Sequence, residues 1–263
     1  MNSELVFAIG DIHGNFDILR KTIKKHKLKN FVGFVCGDFG VGFNYYDPTI
    51  EKTEKRQLSG LNTFLKNRNV MLYVIAGNHD NPMFFDGNHD FTNIIFMKSY
   101  DVVNVNGYNY LGIGGAISVD RNMNYNFPDK YGRPWPGRRE GFNWWKDEKV
   151  VYKKDMLNSL TDIDFVLTHT CPDFVYPNIL DVFVMKWIQY DPKLEKELAA
   201  ERKIMNRVYN TLKKKNTIKA WYYGHFHTSH FQVHESTKFY LLDKGEFKEI
   251  IIENGLLFWK TTK

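Results

Sequence analysis

Val6-Phe7-Ala8-Ile9-Gly10-Asp11-Ile12-His13-Gly14-Asn15 is an apolar run of strand length that halts at a glycine and then presents an aspartate and a histidine. The same arrangement recurs along the chain. Val32 to Cys36 runs into Gly37-Asp38, Val70 to Ala76 into Gly77-Asn78-His79-Asp80, Phe165 to Leu167 into Thr168-His169, and Trp221 to Tyr223 into Gly224-His225-Phe226-His227. Short runs rich in β-branched and aromatic residues, closed by glycine or polar residues, read as buried strands. Strands that each end in Asp, Asn or His predict that these side chains gather at the carboxyl edge of one sheet, where open α/β sheets hold their ligands.

Between the strands the period changes. Phe16, Leu19 and Ile23 fall at helical spacing within Phe16 to Lys27, and a charged helix is expected over Ile50 to Leu65. Strand and helix alternate here as parallel βαβ units do, which predicts an α/β protein. From Asn93 to Ile113 the runs read as short strands joined by turns. Leu194, Leu198, Met205, Val208 and Leu212 mark one face of a long charged helix, followed by a strand over Ile218 to Tyr223. Phe231 to Trp259 reads as an antiparallel meander, with turn signals at Lys244-Gly245 and Asn254-Gly255.

Composition bounds the function classes. The 263 residues carry 36 Lys plus Arg against 30 Asp plus Glu, a net charge of +6, and 43% are hydrophobic. Such proportions support a sizeable core and argue against a disordered chain or a coiled coil. No apolar run approaches the roughly 18 residues of a membrane span, and the start MNSELVFAIGD reaches an acidic residue too soon for a signal-peptide core, so a cytoplasmic protein with no membrane role is expected. A single domain over residues 1–263 is expected, because any boundary between Asp11 and His227 would divide the strand-end cluster. Cys36 and Cys171 are too few for a disulfide framework and are expected to pack as small apolar groups. The positive excess suits an anionic substrate.

Asp, Asn and His supply hard oxygen and borderline nitrogen donors, with no thiolate among them. That set suits Mn, Fe or Zn better than Ca or a structural zinc, and it holds more donors than one tetrahedral ion takes, so two ions are expected. Two divalent ions about 3.5–4 Å apart can clamp a phosphoryl group for in-line attack.

GDIHGN at Gly10 to Asn15, GD at Gly37-Asp38, GNHD at Gly77 to Asp80, TH at Thr168-His169 and GHFH at Gly224 to His227 resemble the ordered motifs of calcineurin-like metallophosphoesterases. The resemblance spans residue 5 to about residue 230. It implies a four-layer αββα sandwich with mixed sheets and a dinuclear centre, with Mn as the first choice and Fe or Zn as alternatives. Carried over by motif position, Asp11, His13, Asp38 and His227 hold one ion, and Asp38, Asn78, His169 and His225 hold the other, which makes Asp38 the bridge. A bridging hydroxide then attacks phosphorus in line. His79 protonates the leaving oxygen or steadies the transition-state charge, and Asp80 orients its imidazolium. The implied substrate is a phosphomonoester or phosphodiester: a phosphorylated small molecule, a nucleotide or a nucleic acid. A nuclease or cyclic-nucleotide phosphodiesterase of the same fold is the neighbouring reading. A non-catalytic scaffold that binds nucleic acid or a partner is the more distant one.

The second motif, Gly37 to Gly42, lacks the Asp-Arg pair of GDxVDRG, which argues against a phosphoprotein phosphatase. Arginines for the substrate are instead expected in the long loop from Ser118 to Trp145: Arg121, Arg133, Arg138 and Arg139, interleaved with Tyr125, Tyr131, Trp135, Trp144 and Trp145. Arg and aromatic side chains together suit stacking on bases and contact with phosphates, while the tryptophans could equally pin the loop to the body. Gly114-Gly115-Ala116, Asp120-Arg121 and Trp144-Trp145 resemble a phage or prophage branch of small metallophosphoesterases. GNHD occurs a second time at Gly87 to Asp90, but no strand of usable length precedes it, so the metal site is assigned to Asn78 and His89 to the loop. His26 is expected on the surface, and His230 and His234 in scaffold positions.

Overall fold

Alternation of side chains along short strands decides the layering. In chain order the first half runs β1 (Leu5–Ile9), α1 (Phe16–Lys25), β2 (Phe31–Val35), α2 (Pro48–Lys66), β3 (Val70–Val74) and β4 (Ile94–Phe96). The second half follows as β5 (Val102–Val105), β6 (Tyr108–Ile113), α3 (Lys154–Ser159), β7 (Phe165–Thr168), α4 (Asp181–Ile188), α5 (Leu194–Leu212), β8 (Ala220–Tyr223), β9 (His230–His234), β10 (Thr237–Leu241) and β11 (Phe247–Glu249), with a hairpin of β12 (Ile251–Glu253) and β13 (Leu256–Phe258) at the end. This computed structural model describes residues 5–43, 48–87, 91–122, 137–177, 181–253 and 256–258.

Phe7, Ile9, Phe31 and Val35 face one way and pack with Phe16, Leu19 and Ile23 of α1 and Leu58, Leu61 and Leu65 of α2. Their neighbours Val6, Ala8, Val32 and Phe34 face the other way and meet Tyr110, Phe165, Leu167, Ala220 and Tyr222 of a second sheet. Val166, Trp221 and Tyr223 on the far side of that sheet pack against Met205, Val208 and Leu212 of α5. Helices, sheet, sheet, helices: the four-layer αββα sandwich follows from three apolar layers. The middle layer is tied by stacked rings, Phe34 on Tyr110 at 4.6 Å and Tyr110 on Phe165 at 4.7 Å between centroids. Each such pair adds about 0.5–1.5 kcal/mol beyond area burial.

The sheets run β11-β1-β2-β3-β4 and β5-β6-β7-β8-β10-β9. β1 to β4 are mutually parallel, as are β6, β7 and β8, while β11 pairs antiparallel with β1. Two sequence expectations are corrected. The motif-bearing strands lie in two stacked sheets, with β1, β2 and β3 in one and β7 and β8 in the other. They are buried on both faces or, in β3, buried on one and half-buried on the other, so their apolar runs look alike and carry no mark of which sheet they join. The C-terminal meander also stops early: β9 and β10 form a hairpin, but the turn at Lys244-Gly245 carries the chain across to β1. Asn254-Gly255 lies outside the described residues.

Register brings the chemistry level. Ile9 pairs with Val35 and Val35 with Val74, so three consecutive strands leave their sheet at the same height. In the other sheet Leu167 pairs with Tyr222, which aligns the ends of β7 and β8. Among the described residues no helix is long and apolar enough to cross a membrane.

Candidate metal centre

Asp11, Asp38, Asn78, His169 and His225 all lie in the first few residues beyond a strand end, and the two carboxylates are each 1% exposed. Ligand atoms of Asp11, His13, Asp38 and His227 fall within 4.8 Å of one another, as do those of Asp38, His169 and His225. Asp38 belongs to both groups. Asn78 joins the second through its Oδ1, 3.2 Å from His169 Nε2, while its Nδ2 donates to Ser118 Oγ at 3.2 Å. His227 Nε2 stands 3.2 Å from Asp11 Oδ2 and 2.9 Å from His13 Nε2. The structure thus brings together every ligand candidate taken from the five motifs.

The backbone here is strained in a consistent way. His13 (φ 50°), Asp38 (φ 47°), His225 (φ 71°) and His227 (φ 49°) all occupy the left-handed region. Such conformations cost on the order of 1–3 kcal/mol each for a non-glycine residue and persist where surrounding contacts enforce them. Two glycines make the close packing feasible. A Cβ on Gly77 would run into the Asp38 carboxylate, and one on Gly224 into that of Asp11.

Charge is balanced within the cluster. Burial alone would push the His169 imidazole down, but the Asp38 carboxylate, 3.1 Å away, outweighs it and with Asp11 raises it to about 10. The Nδ1 of His169 lies 2.8 Å from the Cys36 carbonyl oxygen, which can only accept, so Nδ1 carries the hydrogen and Nε2 faces the cluster. For Asp11 burial pushes up, yet the imidazoles of His13 and His227 bring it down to about 2. Asp38 is likewise held well below the usual carboxylate range against its burial, by His169 and His79. Two carboxylates this deeply buried need compensating charge. Imidazolium provides it within the protein alone; a divalent cation held by the same oxygens and by neutral imidazole nitrogens provides it equally well, and the residues therefore fit a metal.

His79 lies beside the cluster. Burial lowers it to about 4, and Arg138 and His13 push in the same direction against the pull of Asp38. Its ring stacks on Phe43 at 4.8 Å, and its backbone N–H donates to Asp38 Oδ1 at 2.7 Å. Asp80 has other partners than those expected. Its two oxygens accept from the backbone N–H groups of Phe39, Gly40, Val41 and Gly77 at 2.6–3.2 Å, and among the described residues no hydrogen bond or ion pair joins it to His79. Asp80 pins the loop that carries Asp38 rather than gripping the imidazole directly.

The loop arginines separate. Arg138, its side chain 5% exposed, puts Nη2 3.0 Å from His79 Nε2 and bonds Asp120 Oδ1 and the Asn143 carbonyl. Arg121 is spent on Asp191 at 2.7 Å and Glu197 at 2.6 Å and does not line the cavity. Arg139 is exposed, and Arg133 and His89 fall outside the described residues. Trp145 is buried and within 6.3 Å of Phe43, so it does anchor its end of the loop. His234 stacks on Phe174 at 3.8 Å, the scaffold position expected.

The centre opens into a cavity of about 660 Å³. Beyond the motif residues its wall includes Asp120, Glu201, Arg202 and Lys244, none of which the sequence marked as a site residue. For Glu201 a signal existed: it falls on the buried stripe of α5, between Leu198 and Met205.

Two stacked sheets whose carboxyl edges converge on oxygen and nitrogen donors define a metal-dependent phosphoester hydrolase. The chain belongs to the calcineurin-like phosphoesterase family, whose model matches residues 5–229. No curated protein matches the chain significantly. Solved structures similar to it include a putative 5'-nucleotidase from Staphylococcus aureus (11% identity, 98% of this chain and 52% of that one, TM-score 0.47) and the phosphopantetheinyl hydrolase PptH from Mycobacterium tuberculosis (12% identity, 93% and 92%, TM-score 0.43). GAP50, the anchor in the inner membrane complex of Plasmodium, is similar at 11% identity over 99% of this chain and 84% of that one, TM-score 0.42. The assignment rests on the family match.

Proposed function

We propose that the protein hydrolyses a phosphomonoester or phosphodiester with two divalent cations, Mn as first choice and Fe or Zn as alternatives. One would be held by Asp11, His13, Asp38 and His227, the other by Asp38, Asn78, His169 and His225. The observation that carries this is Asp38, whose carboxylate is shared by two compact groups of donors. Bound cations supply Lewis-acid charge and a nucleophile available near neutral pH.

The protein's own groups do the rest. Asp38 and Asp11 set the negative charge that selects cations over other ligands. Arg138, behind the cavity-lining His79 and Asp120, adds fixed positive charge on the side where a phosphoryl group would carry its negative oxygens. His79, touching Arg138, would stabilise that charge and, once Arg138 turns to the phosphoryl group and frees Nε2, could take up a proton and pass it to the departing oxygen. Asp80 keeps the Phe39–Val41 loop, and so Asp38, in place.

An assay of p-nitrophenyl phosphate and bis(p-nitrophenyl) phosphate with Mn tests the proposal and separates monoester from diester preference. Asp38→Asn and His79→Ala should each lose most of the activity; full activity in both would overturn it.

A further inference from the structure

Helix α5 lays Leu194, Leu198, Met205, Val208 and Leu212 against the body of the protein, and the position that completes this stripe holds Glu201, only 4% exposed. A carboxyl among apolar side chains is costly unless hydrogen-bonded. Among the described residues its one protein partner is the backbone N–H of Ile117, and Oε1 has none. Burial, reinforced by the nearby Glu148, pushes Glu201 up to about 8, so the group is carried largely as the neutral acid, able both to accept and to donate. A buried carboxyl with one oxygen unmet calls for a partner from outside the chain.

Glu201 lines the same cavity as Asp11, Asp38 and His79. Around it the wall changes character: Val119, Val184, Trp187 and Leu198 form an apolar cluster of their own. One end of the cavity is therefore suited to a phosphoryl group, and the other offers an indole, aliphatic walls and the Glu201 carboxyl. Such a mixture, apolar lining with a few placed polar groups, is how small-molecule sites fix orientation.

We propose that this arm binds the organic part of the phosphoester and that the Glu201 carboxyl hydrogen-bonds a donor on it. The substrate class is then a phosphoester of an alcohol bearing a flat ring with an N–H or O–H group, chemistry shared by nucleobases and phenols. The assignment rests on the phosphoesterase reading of the metal centre, but its test needs no turnover.

Binding of the free organic part is followed by calorimetry on the metal-free protein, with Trp187 fluorescence as a second signal assigned through Trp187→Phe. Two matched pairs are compared: adenosine against purine riboside, which lacks the amino group, and N-acetyltyrosinamide against N-acetylphenylalaninamide. A hydrogen bond to a buried partner discriminates by about tenfold or more. The donor-bearing member of one pair should bind about tenfold tighter, and which pair shows it names the source. Glu201→Gln should keep the preference, Glu201→Leu should abolish it, and Trp187→Ala should weaken both members of the pair. Melting curves of each variant distinguish lost binding from lost folding. Equal affinity within both pairs, no binding by the wild type, or a preference that survives in folded Glu201→Leu would overturn the proposal. Failure to hydrolyse any phosphoester would instead count against the function of the metal centre and leave these binding results standing.

Discussion

Arg138 Nη2 stands 3.0 Å from His79 Nε2. A guanidinium has only donors, so Nε2 must accept, the ring hydrogen sits on Nδ1, and the imidazole is neutral. The lowering of His79 to about 4, by burial and by Arg138 among its neighbours, is the same fact in electrostatic form. A substrate phosphoryl group that draws Arg138 toward itself would release this constraint, which couples substrate arrival to the basicity of His79.

Arg138→Ala should therefore move the His79 titration upward in the metal-free protein, measured by imidazole NMR against pH. With metal present it should lower kcat/KM by on the order of 100-fold, the usual cost of removing one charge-stabilising donor. An unchanged His79 titration would show that the contact does not govern the imidazole.

Asp80 makes a contrasting prediction. Four backbone N–H groups converge on its carboxylate, so Asp80→Asn turns at least one donor toward another donor. Losing charged hydrogen bonds of this kind costs about 1.5–3 kcal/mol each. In a chain of this size each kcal/mol lowers Tm by about 2–4 °C. Asp80→Asn should thus melt several degrees lower and hold metal more weakly, as the Asp38 loop loosens. The pH profile of kcat should keep its shape; a displaced profile would mean that Asp80 acts on His79 after all.

How much of this was legible in the chain differs from residue to residue. Strand ends announced themselves because Ile9, Val35 and Val74 lie at the ends of apolar runs that any sheet would bury, and the polar residues just past them break those runs abruptly. Which of two sheets each strand joins is decided by contacts between Phe34, Tyr110 and Phe165, far apart in sequence, and period-2 alternation is silent on that. Choosing Arg138 over Arg121 was likewise out of reach. Both lie in an aperiodic loop, and only Asp191 and Glu197, some 70 residues further along, show that Arg121 is already taken. Glu201 was hidden differently, since a helical stripe is read by its apolar members and its one charged member passes for surface.

The shared role of Asp38 has a countable consequence. Asp38 serves both donor groups, whereas His227 serves one. Wild-type protein reconstituted with Mn and analysed by elemental analysis should retain about two ions per chain, His227→Ala about one, and Asp38→Asn less than one. Retention of two ions by Asp38→Asn would rule out the bridging role. Metal should also raise Tm of the wild type, because an ion at 100 times its Kd adds about 2.7 kcal/mol to the folded state, and that increment should shrink in the same order across the variants.

Glu201 and Glu148 set a pH dependence whose sign is fixed. Burial pushes Glu201 up to about 8 and Glu148 up to about 7, from an ordinary value of 4.5. Between 4.5 and those values the folded protein retains protons that the unfolded chain has released. Their contribution to stability is therefore full below 4.5 and drains away as pH climbs through about 7 and then about 8. Gln at position 201 cannot ionise and removes one share of the loss. His169, raised to about 10, also loses stability with rising pH, and because it pulls Glu201 down the two are coupled; the coupling is small beside the burial that dominates Glu201. Glu201→Gln should melt close to the wild type at about pH 5 and several degrees above it at about pH 9, since raising a pKa by one corresponds to about 1.4 kcal/mol. Because Glu148 is one cause of the raised pKa at Glu201, the gain should be smaller in a Glu148→Gln background. A Tm difference that stays flat from pH 5 to pH 9 would show that Glu201 ionises in the folded protein as it does in water.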